Sequence, residues 1–226
     1  MEADTFGEIF PLAETAEPET IEWLLSVATE QHFPEGKEIL RAEEWGNGVY
    51  FILRGWVKFQ EHSEDRTLTL AVLGQGDFFG EMAILDEALR DTEVVALSAV
   101  TLLEVPAQRF IQLLFKDAQL HHRFLQRSMQ RLRRLYRLQQ LRHESAINRV
   151  AYVLLDLAET YGSDTGEGIS LHCLTPAEIA DLAGSSAEET QRLLEKMAEK
   201  HWINPDRENK LLLIHNPRQL SQLFSR

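Results

Sequence analysis

The sequence predicts an α+β chain: an N-terminal antiparallel β-roll of jelly-roll kind, one long helix, and a C-terminal winged helix-turn-helix. Three observations carry this. Gly36, Gly55 and Gly74 recur every 19 residues among β-rich runs. From Pro106 to about His143 little breaks a helical pattern. Two helix starts, Thr175-Pro176-Ala177-Glu178 and Ser186-Ala187-Glu188-Glu189, stand on either side of Gly184.

In chain order, Glu19 to Glu30 is expected to be helical, with Ile21, Leu24, Leu25 and Ala28 on one face. The runs GVYFIL, WVKF, LTLAVL, EVVAL and VTLLEV then give short strands separated by glycine corners, the pattern of an antiparallel barrel or roll. In LTLAVL, Leu68, Leu70 and Val72 alternate with Thr67, Thr69 and Ala71, as in a strand with one buried face. Pro106 suits a helix first turn. Leu125, Leu132 and Gln139 then fall seven apart, with Leu135, Leu138 and Leu141 between them. A helix of this length needs a partner, so the spacing predicts a dimer seam. Ile147 to Tyr161 is a further helix, and ISLHCL a short strand. Thr175 and Ser186 each precede a glutamate by three residues, which is the capping-box pattern. Gly184 between them suits the positive φ of a tight turn. Trp202-Ile203, the turn NPDRENK and LLLIH make a hairpin wing, and Asn216-Pro217 opens a last helix. These signals divide the chain at residues 1–115, 116–145 and 146–226.

Charge is partitioned along the same lines. The net of −13 over 226 residues comprises 7 Lys/Arg against 22 Asp/Glu in 1–115, 8 against 2 in 116–145, and 8 against 12 in 146–226. A basic band lies between two acidic regions, and the total argues against indiscriminate polyanion binding. The arginines of the band, among them Arg123, Arg127, Arg131, Arg133, Arg134, Arg137 and Arg142, form either a solvated face or a surface for the acidic roll or an anionic ligand. The single cysteine, Cys173, excludes an internal disulfide or cysteine-ligated cluster within one chain. No apolar stretch approaches membrane-spanning length, and the N-terminus lacks a secretory pattern, so a cytoplasmic location with no membrane partner is expected. No nucleophile–base pair, metal cluster or Walker loop is visible, so the chain is not expected to be an enzyme.

Residues 74–92, GQGDFFGEMAILDEALRDT, carry the most chemistry. A glycine-bounded turn offers backbone N–H groups to an anion, an arginine forks onto phosphate oxygens, and a carboxylate accepts a ribose hydroxyl. Gly80, Glu81, Met82, Arg90, Asp91 and Thr92 are the candidate ligand residues. The alternative is that Glu81 and Arg90 pair with each other in an empty pocket.

This spacing resembles the phosphate-binding cassette of cyclic-nucleotide-binding domains. Together with LTPAEIADLAGSSAEETQRLLEKM it makes nearly the whole chain resemble the Crp–Fnr family of bacterial transcription regulators. The resemblance implies a dimer through the long helix, reading of a palindromic site in double-stranded DNA, and RNA polymerase as a possible further partner. It also implies that Gly80 and Glu81 meet a ribose and Arg90 a cyclic phosphate. Cyclic-nucleotide binders of the family carry serine or threonine directly after that arginine. Here Asp91 stands there, and its charge would repel the phosphate by about 1–4 kcal/mol. The long helix also lacks an evident threonine–serine pair for adenine. A small anionic effector other than cyclic AMP, or none, is therefore expected. A haem sensor would need an axial ligand, for which His32, His62, His121 and His122 are the histidines at hand, each better read as a core or surface residue.

In the reader, Thr175, Ser186, Ala187, Glu188, Gln191, Arg192 and Lys196 are the expected DNA-facing residues, with Lys200, Arg207 and Lys210 as phosphate contacts or plain solvated charges. Family members that read the common half-site place an arginine where Ala187 stands. Losing one bidentate contact removes about 1–3 kcal/mol of base discrimination, so a different site is expected. A rival expectation is that the acidic winged helix docks onto a protein such as RNA polymerase.

Overall fold

A computed structural model describes residues 2–44, 47–62, 66–85, 92–206 and 208–224. The chain forms two compact units, residues 1–67 with 71–133, and residues 68–70 with 134–226.

The first unit opens with α1 (Ala3–Ile9) and α2 (Pro18–Val27). Strands β1 (Thr29–Phe33), β2 (Glu38–Leu40), β3 (Gly48–Arg54), β4 (Val57–His62), β5 (Thr67–Leu73) and β6 (Phe78–Phe79) follow. After the short helix α3 (Glu81–Leu85) come β7 (Glu93–Ala96) and β8 (Val100–Pro106). They build two four-stranded sheets, ordered β1-β8-β3-β6 and β2-β7-β4-β5. The pairs β1–β8, β3–β8, β3–β6, β2–β7 and β4–β7 are antiparallel, as the glycine-cornered strands predict.

The core is strongly aromatic. Phe6, Phe10, Phe51, Phe78, Phe110 and Phe124 are buried and meet edge-on or tilted at 4.5–6.2 Å between ring centres. Phe6 and Phe10 come from the N-terminal segment, where the acidic composition gave no expectation of a helix. In β5 the expected alternation gives way: Leu70 is exposed, while Val72 and Leu73 are both buried. The strand ends there, at the Gly74 turn, where both faces are covered.

The long helical stretch is not continuous. It breaks at Asp117 into α4 (Ala107–Lys116) and α5 (Ala118–Gln140). Asp117 is extended, with φ −116° and ψ 103°. Its Oδ1 accepts the N–H groups of Gln119 and Leu120 at 2.9 Å, and its Oδ2 that of Glu17 at 3.1 Å. The aspartate is thus a helix cap that also ties down the start of α2. Leu120 and Phe124 of α5 enter the aromatic core, while Leu125, Met129, Leu132, Leu135 and Tyr136 are exposed. Leu141, counted above with the seam, is buried instead, in a 3₁₀ turn over Leu141–His143.

The second unit contains α6 (Ala146–Tyr161), β9 (Ser163–Asp164), β10 (Ile169–His172), α7 (Pro176–Ala183) and α8 (Ala187–Glu199). Then come β11 (Ile203–Asp206), β12 (Leu211–Ile214) and α9 (Pro217–Gln222). The sheet order is β11-β12-β10-β9, antiparallel throughout, with β11–β12 as the wing hairpin. Val150, Leu154, Ile179, Met197, Ile203, Ile214 and Leu220 are buried in it. Thr175 and Glu178 make the full reciprocal capping box. Ser186 makes half of one: its Oγ accepts Glu189 N–H at 3.2 Å, while Glu189 stays exposed. Gly184 has φ 61° and ψ 42°, the left-handed cap its position predicts.

Candidate functional site

The candidate ligand side is built on a glycine that nothing can replace without movement. Gly80 follows β6 with φ +91°, and a Cβ there would lie 2.6 Å from the Gly48 carbonyl oxygen and 3.1 Å from the Tyr50 ring. The turn delivers Glu81 as the first residue of α3, 8 % exposed. Its Oε1 accepts Arg131 Nη1 at 2.9 Å, and Arg131 comes from α5. Arg131 Nη2 donates to Asp77 Oδ1 and to the Phe78 carbonyl, and its Cζ lies 4.4 Å from the Phe78 ring centre. One guanidinium therefore faces two buried carboxylates, a backbone carbonyl and an aromatic face. Burial pushes the Glu81 carboxyl above its ordinary range; Arg131 opposes this and Asp77 adds to it.

Of the expected ligand residues, Met82 is 75 % exposed and Thr92 half-buried just before β7. Arg90 and Asp91 lie outside the described residues, as does Arg207 of the reader. Asp77 carries no signal in the sequence, and Arg131 is named there only as one arginine of the basic band; it takes the alternative of meeting the acidic roll. Arg131 stands 50 positions after Glu81, among other arginines. Its one signal is register: it lies seven residues beyond the buried Phe124, on the same helical face.

On the reading side, Thr175 and Ser186 cap α7 and α8, so both are spent structurally while remaining exposed. Ala187, Glu188, Arg192 and Lys196 are exposed along α8, and Gln191 is half-buried. Arg192 Nη2 lies 3.8 Å from Glu188 Oε2, a loose surface pair that a nucleic acid can replace. Gln191 Nε2 donates to Glu195 Oε1. Lys200 Nζ sits 4.8 Å over the Trp202 ring, beside the wing. Among the described residues no helix is long and apolar enough to cross a membrane.

Residues 30–117 match the family model of the cyclic nucleotide-binding domain, and residues 148–223 that of the Crp-like helix-turn-helix domain. The chain is 33 % identical over 193 residues to the Cyclic AMP receptor protein of Thermus thermophilus, covering 84 % of this chain and 86 % of that protein. It is 29 % identical over 209 residues to the CRP-like cAMP-activated global transcriptional regulator of Mycobacterium tuberculosis, covering 91 % and 92 %. Among solved structures, FixK2 from Bradyrhizobium japonicum shares the fold at a TM-score of 0.74 and 20 % identity, over 88 % of this chain and 98 % of that one. The chain belongs to the Crp–Fnr family of DNA-binding transcription regulators.

Proposed function

We propose that the chain acts in the cytoplasm as a symmetric dimer that reads a palindromic DNA site through α8, and that cyclic AMP is not its usual effector. The observation that carries the dimer is the exposed stripe Leu125, Met129, Leu132 and Tyr136 on α5. These residues stand at intervals of four, three and four, the d-a-d-a register of a coiled-coil seam. The reader follows the C-terminal end of α5 in the chain. Two readers meet one palindrome only if the two helices run parallel, and a two-fold then sets them on half-sites about one helical turn apart. Gly80, Glu81, Met82, Arg90, Asp91 and Thr92 are the ligand residues of this reading. Thr175, Ser186, Ala187, Glu188, Gln191, Arg192 and Lys196 belong to the DNA side.

The names of the two relatives speak for cyclic AMP. The aspartate directly after Arg90 speaks against it. Glu81 is a buried carboxylate able to accept a ligand hydroxyl, so the site suits a small effector, and Arg131 makes α5 sensitive to what Glu81 holds. Calorimetry on the full chain is expected to show no sub-micromolar binding of cyclic AMP. Asp91→Ser is expected to gain about one to three decades of affinity. Sub-micromolar binding by the unaltered chain overturns the effector reading.

Capture of genomic fragments by the effector-free protein at low and moderate salt, followed by sequencing, tests the DNA reading. An enriched palindrome supports it, and its bases test the consequence of Ala187. A second reading, that the winged helix docks onto a protein such as RNA polymerase, draws on Glu188 and Glu189 exposed in the first turn of α8. A DNA affinity that falls steeply with salt removes that reading.

A further inference from the structure

One arginine of the second unit makes three backbone contacts that neither the ligand site nor the reading helix accounts for. Arg149 lies in the first turn and a half of α6, half-buried. Its Nε donates to the Ala183 carbonyl at 2.7 Å and its Nη2 to the Gly184 carbonyl at 3.1 Å. Its Nη1 donates to the Glu144 carbonyl. The first two acceptors form the C-terminal pole of α7, where carbonyls lack helical partners and the helix dipole favours a cation. The third belongs to the joint between the long helix and α6. Leu141–His143 forms a 3₁₀ turn there, Glu144 is extended with ψ 163°, and Ser145 precedes α6.

The turn beyond Gly184 leads straight into α8. Ser185 N–H bonds back to the Ala180 carbonyl at 2.9 Å, Ser185 Oγ meets Thr190 Oγ1 at 2.7 Å, and Ser186 caps the helix. Thr190 is fully buried. The start of α8 is therefore rigidly attached to the two carbonyls that Arg149 holds. A planar guanidinium with fixed donor directions can grip two carbonyls on one side and a third on another; an ammonium has no such fork.

We propose that Arg149 is a positioning residue for DNA reading: its guanidinium ties the joint after the long helix to the turn that launches α8. Movement at Glu144 is thereby handed to the N-terminal end of the reading helix, where Ala187 and Glu188 stand. The inference rests on α8 being the groove-reading helix, and it adds the part that fixes the pitch of that helix.

Arg149→Met and Arg149→Lys in the full chain test it, each studied well below its own melting temperature. Hydrogen exchange is read over residues 141–145 and 184–188. Affinity is measured for the palindrome selected by the unaltered protein and for an unrelated duplex. In Arg149→Met, exchange is expected to rise at both segments together, while the wing hairpin stays protected. Palindrome affinity is expected to fall about ten- to a hundredfold with unrelated-duplex affinity unchanged, as for loss of charge-assisted hydrogen bonds that orient rather than attract. Arg149→Lys keeps the charge at the α7 pole and so the fold, but lacks the fork, and is expected to lose selectivity too. The proposal is overturned if either variant, folded, keeps the selectivity ratio, or if exchange rises at one segment only. If the unaltered protein selects no DNA, the reading-helix assignment fails, and the exchange data still decide whether Arg149 ties joint to turn.

Discussion

At the scale of single residues, the cluster of Asp77, Glu81 and Arg131 sets the electrostatics of the proposed ligand side. Removing the cation leaves two buried carboxylates facing each other. Arg131→Met is expected to cost about 3 kcal/mol of unfolding free energy, the lower end for breaking a buried pair, because Arg131 is itself partly exposed. The pH dependence has a definite sign. Glu81 is raised in the fold, so between the ordinary glutamate value, about 4.3, and the raised value the folded chain binds more protons than the unfolded chain. Its stabilising contribution is full in acid and is lost as pH rises through the folded value. Glu81→Gln keeps an acceptor for Arg131 without the buried charge. Urea unfolding from about pH 5 to about pH 8 is therefore expected to show the advantage of Glu81→Gln over the unaltered chain growing with pH. A flat difference excludes the raised carboxyl. Burial raises Asp156 as well and places it in the same window, but both chains carry it, so the difference between them isolates Glu81. Gly80 and Glu81 were legible in the sequence because a local turn dictates both. Arg131 was legible only as one member of a basic band with the acidic roll as one alternative, because which arginine reaches Glu81 depends on a packing register that only the folded helix fixes.

At the scale of elements, the two glycines that frame the functional segments differ in why they are glycine. Gly184 has φ +61° and open space around a would-be Cβ, so only the left-handed backbone disfavours a side chain. Gly80 has φ +91° and also a backbone oxygen within 2.6 Å of that Cβ, which no rotamer can relieve. Gly184→Ala is expected to cost about 1 kcal/mol, and Gly80→Ala roughly 3 kcal/mol or more, by denaturant unfolding. Equal costs would mean that the Gly48 carbonyl moves aside freely. The helix boundaries teach the same distinction between local and distant causes. Thr175 and Ser186 announced α7 and α8 because caps are local chemistry. Asp117 also carries cap chemistry, but an unbroken run of helix formers on both sides masked it, and its second oxygen serves Glu17, 100 residues away. Helix α1 was hidden for the opposite reason: Phe6, Ile9 and Phe10 stand at helical spacing but over little more than one turn of an acidic segment, and only the aromatic core makes sense of them.

At the scale of the whole molecule, the charge partition and the apolar stripe act on one helix with opposite effects. The 23 residues of α5 include no carboxylate. Arg131 is answered by Asp77 and Glu81, and Arg134 by Asp156 at 3.4 Å. Arg127 and Arg137 donate to neutral glutamines, Gln130 and Gln140. Arg133 is exposed beside Leu132. A parallel pair of such helices gains from burying Leu125, Met129, Leu132 and Tyr136, about 1.5–3 kcal/mol for each side chain fully covered, and is opposed by like charges along its flanks. Added salt screens the repulsion and leaves the apolar term intact. Self-association measured by light scattering is therefore expected to tighten with salt, whereas DNA affinity weakens with it. Leu132→Lys places two more cations against each other on the two-fold. It is expected to yield a folded monomer whose melting temperature no longer depends on protein concentration, since Leu132 is already exposed in the single chain. With the two readers uncoupled, affinity for a full palindrome is expected to fall by about two to four decades while a lone half-site is bound as before. A Leu132→Lys chain that remains dimeric places the seam elsewhere. A monomer that binds the palindrome undiminished shows instead that each reader works alone, and that the symmetry of the site is not matched by symmetry in the protein.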